Sequence, residues 1–239
     1  MRARQTLYPT AEDFAAPPGE EIRSSVSGRA ADIFFASTGP SCNKWVHYLP
    51  IYDQLLGPYV GTAVRMLEIG VQNGGSQALW RKYLGDRAIL FGIDIDAECA
   101  RHNGRFSQVR IGSQADPAFL ERVVEEMGGL DVVLDDGSHM ARHQRISFET
   151  LFPLLSEGGA YAIEDLHTAY WPQFEGGLRR PGTAIEMLKD KIDDMHRIYR
   201  HKGLNTDTAA SDIESVQLFD SIAIVRKRKQ HPRHHVVVP

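Results

Sequence analysis

Short apolar blocks separated by amphipathic segments run through most of the chain, and this alternation constrains the fold more than any other feature. The apolar blocks have the length and composition of strands, whereas the segments between them carry apolar residues at helical spacing. Alternating strands and helices imply right-handed βαβ units and a mostly parallel sheet with helices on both faces. We therefore predict a doubly wound α/β fold.

The same pattern places the elements along the sequence. The predicted strands are 64–69, 89–93, 108–111, 131–134, 160–163, 215–219 and 222–225. The predicted helices are 76–84, 117–127, 142–155 and 183–199. Only Asp220 and Ser221 separate the last two strands, which is too short for a crossover helix. Those strands should pair as an antiparallel hairpin and complete a seven-stranded sheet.

Length and composition indicate one domain. A single core stops growing at roughly 250 to 300 residues, and the chain has 239. We expect an N-terminal arm or lid over 1–34, a main domain over 35–228 and a basic tail over 229–239. The net charge of −4 gives no positive field that would favour nucleic acid or an anionic membrane. No apolar run approaches the roughly 20 residues of a membrane span, so a cytoplasmic location is expected.

Glycines follow the first predicted strand directly and indicate a nucleotide-like ligand. Gly70, Gly74 and Gly75 let the backbone approach a ligand closely, although their spacing is not the full Gly-x-Gly-x-x-Gly signature. Asp94 ends the second strand, where α/β nucleotide sites hold ribose hydroxyls with an acid; capping of the next helix is the alternative. Eight residues at this end of the sheet are the predicted cofactor ligands: Glu68, Gly70, Asn73, Ser76, Asp94, Ser113, Gln114 and Asp135.

Acidic residues follow two later strands at the point where each ends. Asp136 follows the fourth predicted strand, and Glu164 and Asp165 follow the fifth. Neighbouring parallel strands would bring these three carboxylates together, and their mutual repulsion favours a hard divalent cation such as Mg²⁺. His139 lies three residues beyond Asp136 and is the best placed general base, since a neutral imidazole is available near pH 7. His143 is an alternative base, as is His167.

Three motifs carry a resemblance to a known family. They are Leu67-Glu68-Ile69-Gly70-Val71, Asp135-Asp136-Gly137-Ser138-His139 and Glu164-Asp165-Leu166-His167-Thr168. In these motifs the chain resembles the metal-dependent sugar O-methyltransferases of natural-product biosynthesis. The resemblance implies S-adenosylmethionine as cofactor, Mg²⁺ on the three carboxylates, His139 as base and a homo-oligomer. It also implies a small-molecule acceptor, either a TDP-deoxysugar such as TDP-rhamnose or the sugar of a glycosylated natural product.

Other functions fit the same architecture. A nicotinamide-dependent oxidoreductase would need a complete phosphate loop, which the glycine spacing argues against. A non-catalytic binding module is disfavoured by the intact histidine beside Asp136. A metal-dependent methyltransferase of catechol-type diols shares the metal chemistry and is the second candidate. Segments 24–48 and 167–183 are where acceptor contacts are expected, because mobile loops often carry them.

Overall fold

The computed structural model describes residues 19–199, 211–228 and 234–239. Seven strands of these residues form one sheet in the order β3-β2-β1-β4-β5-β7-β6. The strands are β1 (Arg65–Ile69), β2 (Ile89–Asp94), β3 (Gln108–Ile111), β4 (Leu130–Asp135), β5 (Leu155–Ile163), β6 (Ile213–Leu218) and β7 (Ala223–Lys227). Strands β1 to β5 are parallel, and β7 runs antiparallel between β5 and β6. The predicted fold class and the C-terminal hairpin are confirmed.

Helices cover both faces of the sheet, and the last four of them have bounds close to the four that the sequence predicts. They are α1 (Glu20–Ser24), α2 (Arg29–Phe35), α3 (Leu49–Leu56), α4 (Gly75–Leu84), α5 (Pro117–Met127), α6 (Ala141–Leu151) and α7 (Ala184–Met195). Two helices are shorter than expected at their C-terminal ends. Helix α6 gives way to a 3₁₀ turn at Pro153, and α7 ends before His196. Proline cannot donate the hydrogen bond that would continue α6.

Alternation along the strands divides the apolar residues into two cores. On β1, Leu67 and Ile69 face α5, α6 and α7, whereas Met66 faces α2, α3 and α4. Successive side chains of a strand point to opposite faces, so a strand that is buried on both sides must be apolar throughout. This explains why the central strands appear in the sequence as continuous apolar blocks.

Part of the predicted N-terminal arm packs against the main body. Residues 1–18 lie outside the described part of the chain. In α2, Ala30 and Ala31 are buried in the core on the α3 and α4 side. The Ala30 amide donates to Asp53 Oδ1 at 3.0 Å. The domain boundary at residue 34 remains a prediction, as does the basic tail, of which residues 229–233 are not described. Among the described residues no helix is both long and apolar enough to cross a membrane.

The chain order creates a crevice at one point of the sheet. From β1 the chain proceeds outward to β2 and β3, then returns to place β4 on the other side of β1. Helices on either side of this reversal diverge, and ligands of open α/β sheets bind there, outside the carboxyl ends of the strands.

Burial of Phe148 on α6 should contribute strongly to stability. Its ring centroid lies 4.9 Å from that of Phe152 and 5.0 Å from that of Tyr161. We expect Phe148→Ala to lower the free energy of unfolding by about 3–5 kcal/mol, because the lost transfer energy is joined by a cavity. Urea denaturation followed by circular dichroism measures this. Leu218→Ala, at a position that is 53% exposed, is the control and should change stability by less than about 0.5 kcal/mol. Equal effects of the two substitutions would contradict this assignment of the core.

Candidate active site

A cavity of about 420 Å³ lies at the carboxyl ends of the central strands, where the strand order reverses. Its walls include the loop after β1, the end of β2, the turn after β3 and the loop after β4. Six of the eight predicted cofactor ligands line it: Gly70, Asn73, Ser76, Asp94, Ser113 and Gln114. The cavity also reaches the acidic residues, because Asp136, His139 and Asp165 line it as well.

Asp94 holds the glycine loop in shape. Its Oδ2 accepts hydrogen bonds from the amides of Val71 and Gln72, at 2.9 and 3.0 Å, and its Oδ1 accepts from the Asp96 amide at 2.9 Å. Burial by itself would raise the pKa of Asp94, but the three amide donors outweigh it and hold the pKa below its ordinary value. Asp94 is therefore a fixed negative charge at the edge of the cavity, suited to accept hydroxyl donors.

Close backbone packing explains why glycine follows β1. Gly70 has a φ of +98°, and a Cβ at this position would lie 2.1 Å from the carbonyl oxygen of Asp136. Only glycine allows the β1 and β4 loops to approach so closely. The glycine loop thus holds the floor of the cavity against the loop that carries the acidic motif.

The structure does not bring two of the predicted cofactor ligands to the cavity. Glu68 is buried on the other side of the loop, where it accepts hydrogen bonds from Ser76 Oγ, Gln77 Nε2 and Trp80 Nε1. Burial raises its pKa to about 7, although Lys44 and the Trp80 hydrogen bond oppose the increase. Glu68 is therefore bonded to the first turns of helix α4 and does not line the cavity.

Asp135, the second of these residues, lies beneath the loop that follows β4. It is fully buried and accepts hydrogen bonds from Ser147 Oγ at 2.8 Å and Tyr161 Oη at 2.9 Å. Gln114 Nε2 donates to Asp135 at 3.1 Å, while Gln114 Oε1 accepts from the Ser138 amide at 2.7 Å. The amide of Gln114 thus connects Asp135 to the loop that contains His139.

The three predicted metal ligands converge, and a lysine lies among them. Lys44 Nζ is 2.6 Å from Asp136 Oδ2 and 3.0 Å from Glu164 Oε2. Tyr52 donates to Glu164 Oε1 at 2.7 Å. Burial and the charge of Asp136 raise the pKa of Glu164 well above its ordinary value, against the opposing effect of Lys44. Sequence reasoning missed Lys44, because no spacing rule connects it to acids that lie far away in the chain.

Asp165 is held by aromatic donors. Its Oδ1 accepts from Trp45 Nε1 at 3.0 Å and from Tyr48 Oη at 2.9 Å. The residue has a φ of +54°, which turns the chain sharply after β5. The rings of Tyr48 and Tyr52 are both fully buried, and their hydroxyls donate to Asp165 and Glu164.

His139 faces two of the acids. Its Nε2 is 3.8 Å from Asp136 Oδ1 and 3.7 Å from Asp165 Oδ2, and its backbone is in the left-handed region with φ of +56°. Its buried Nδ1 has no hydrogen-bond partner within the described part of the chain. His143, one alternative base, also lines the cavity and bonds Ser138 Oγ through Nδ1 at 2.8 Å. His167, the other, packs between Trp45 and Trp171, away from the cavity wall.

The donor set is chemically suited to a divalent cation. One atom each from Asp136, His139 and Asp165 lies within 4.8 Å of the others. Carboxylate oxygens are the ligands that Mg²⁺ and Mn²⁺ prefer, and both acids are partly exposed to the cavity. Glu164, the third predicted ligand, does not join this group, because its oxygens are directed at Lys44 and Tyr52. The residues present therefore fit a metal, with Asp136 and Asp165 the most accessible ligands.

Comparison with known proteins shows the relatives of this chain. No protein-family model matches. The L-olivosyl-oleandolide 3-O-methyltransferase of Streptomyces antibioticus is 38% identical over 201 residues, which cover 78% of this chain and 52% of that enzyme. The MycE methyltransferase of the mycinamycin pathway, solved in complex with Mg and SAH, aligns with a TM-score of 0.70 at 34% identity, covering 76% of this chain and 48% of that one. Its complex with Mg, SAH and mycinamycin VI aligns with a TM-score of 0.70 at 31% identity, covering 84% and 53%.

The sheet order with its antiparallel β7, together with the glycine loop and Asp94 at the switch point, matches the Rossmann-like fold of methyltransferases. Within that fold class the chain belongs to the family of sugar O-methyltransferases of antibiotic biosynthesis. It spans about half the length of the curated relatives it matches.

The buried carboxylate of Glu68 predicts a pH dependence of stability. Its pKa of about 7 in the fold exceeds the ordinary value of 4.5, so it stabilises the fold at low pH, and this contribution is lost as pH rises through 7. A shift of this size corresponds to roughly 3 kcal/mol. The stability of Glu68→Gln relative to wild type should therefore improve between pH 5 and pH 8. Urea denaturation in EDTA at both pH values measures this; a relative stability that is independent of pH would contradict it.

Proposed function

We propose that this chain is an S-adenosylmethionine- and Mg²⁺-dependent O-methyltransferase that methylates a sugar hydroxyl, on a glycosylated natural product or on a TDP-deoxysugar. One observation carries the proposal: the cavity that is lined by the glycine loop and Asp94 is also lined by Asp136, His139 and Asp165. A methyl donor and a deprotonated acceptor would therefore meet in one cavity. The cofactor and metal of the MycE complexes are consistent with this.

The cavity residues suit an in-line displacement. The acceptor oxygen would take the methyl group of S-adenosylmethionine as the carbon–sulfur bond breaks, and His139 Nε2 would accept the hydroxyl proton. Asp136 Oδ1 and Asp165 Oδ2 lie within 4 Å of Nε2, so the imidazole is placed beside the acids that would hold the metal. Holding the reacting groups together converts a bimolecular reaction into an effectively unimolecular one.

A divalent cation would be held by Asp136, Glu164 and Asp165. Of these, Asp136 and Asp165 have the more accessible side chains. When bound, it supplies positive charge that orients a sugar hydroxyl and lowers its pKa. The acids themselves are pre-positioned for this by groups of the protein. Trp45 and Tyr48 fix Asp165, and Tyr52 fixes Glu164.

A row of rings beside His139 supports a sugar as acceptor. Phe174 lies 6.2 Å from His139 between ring centroids, and Trp171 lies 6.1 Å from Phe174. His167 and Trp45 extend the row away from the cavity wall, at centroid separations of 4.8 and 5.7 Å. Such rings offer flat apolar faces with polar edges, which suit the mixed surface of a sugar. The row belongs partly to segment 167–183, where acceptor contacts were expected.

The proposed function is tested by calorimetry and a methyl-transfer assay on the same preparation. We expect S-adenosylmethionine to bind and a methylated product to form from a rhamnosyl or olivosyl glycoside, or from TDP-rhamnose, with activity lost in EDTA and restored by Mg²⁺. Mass spectrometry identifies the product and distinguishes glycoside from nucleotide sugar. Turnover of a catechol in place of every sugar would favour the second candidate function, and failure to bind the cofactor would exclude both.

His139 should be required for turnover and dispensable for cofactor binding. We expect His139→Ala to lower kcat by about 10²- to 10⁴-fold, the usual contribution of a general base. The affinity for S-adenosylhomocysteine, measured by calorimetry, should be nearly unchanged. His143→Ala is the matched control in the same cavity and should lower kcat by less than about tenfold. The reverse ranking of the two variants would move the base to His143.

A further inference from the structure

Lys44 is a buried cation at the centre of the acidic cluster. Its side chain is 2% exposed, and its Nζ contacts Asp136 and both oxygens of Glu164, with Glu68 at 4.0 Å. The rings of Tyr52 and Trp80 lie 5.8 and 5.9 Å from Nζ and add cation–π attraction. Contacts of 2.6 Å to Asp136 and 3.0 Å to Glu164 pair the ammonium with two carboxylates.

The contacts of Lys44 overlap with those of the proposed metal. Glu164 Oε2 is occupied by the ammonium, and Glu164 Oε1 is shared between the ammonium and Tyr52. One oxygen of Asp136 is occupied in the same way, at 2.6 Å. A cation that uses Glu164 as a ligand must therefore take an oxygen from Lys44. Two cations within a few ångströms of each other also repel strongly in a poorly solvated site.

Room for the displaced side chain exists. Lys44 lines the cavity beside Ser41, Cys42 and Asn43, and a lysine side chain has a flexible four-carbon stem. The ammonium can leave the acids without unfolding the segment that carries it. Trp45 and Tyr48, which follow in sequence, remain bonded to Asp165 and anchor that segment.

We propose that Lys44 is the internal counter-ion of the metal-free site and competes with the divalent cation for Asp136 and Glu164. The inference rests on the proposed function, since it assumes a metal at these acids. In the metal-free protein Lys44 prevents the carboxylates from repelling one another and keeps them in position. The consequence is a weaker metal affinity than the acids alone would give.

Metal affinity of Lys44 variants tests the competition. Binding of Mg²⁺ is measured by calorimetry, and binding of Mn²⁺ by electron paramagnetic resonance, on the full chain without cofactor. We expect Lys44→Met to lower the dissociation constant on the order of tenfold or more, because the repelling charge is gone. Lys82→Met removes the same charge from an exposed position on α4 and should leave the dissociation constant unchanged.

Thermal unfolding gives a second measurement. In EDTA, Lys44→Met should melt below wild type, because buried carboxylates lose their partner; saturating Mg²⁺ should then raise its Tm by more than it raises that of wild type. Lys44→Gln removes the charge but keeps hydrogen-bond donors for the acids. It replaces Lys44→Met in both measurements if that variant does not fold.

The outcomes separate the two proposals. If wild type binds Mg²⁺ and neither neutral variant binds it more tightly, the competition is disproved and the metal site stands. If neither wild type nor the variants bind a divalent cation, the metal assignment fails, and the competition fails with it.

Discussion

Burial of negative charge at the carboxyl ends of β1, β4 and β5 is the constraint on which this site depends. Glu68, Asp136 and Glu164 come from three neighbouring strands and converge, and unpaired carboxylates in such a place would repel one another. The ammonium of Lys44, together with donors such as Tyr52, compensates this charge. In the proposed function, a divalent cation that binds these acids would replace the ammonium of Lys44 as their counter-ion.

Backbone strain at two residues shows how firmly the loops are held. His139 and Asp165 both have positive φ, an uncommon conformation for residues other than glycine that persists only when the surroundings impose it. Gln114 fixes the first loop through the Ser138 amide, and Tyr48 fixes the second through Asp165. The rigid sheet edge and these hydrogen bonds place the imidazole between two carboxylates before any ligand arrives.

The cofactor cavity and the acidic cluster are parts of one structure. Gly70 packs against the carbonyl of Asp136, so the glycine loop and the acidic loop have a fixed relative position. Asp94 then orders the remainder of the glycine loop through the amides of Val71 and Gln72. In the proposed function, a methyl donor bound in this cavity would therefore lie beside the acids and the histidine that line it.

The sequence by itself determined the fold and the meeting of its acids at one edge of the sheet. Continuous apolar strands, amphipathic helices and a two-residue connection before the last strand can be satisfied by few topologies, and acids directly after β4 and β5 must meet at one sheet edge. Local sequence could not distinguish side chains that line the cavity from those beneath it, such as Glu68 and Asp135, because one residue along a strand reverses the face. Only the tertiary structure decided that Lys44 lies among the acids. Its partners are distant in the chain, and attraction between buried opposite charges leaves no periodicity in a sequence.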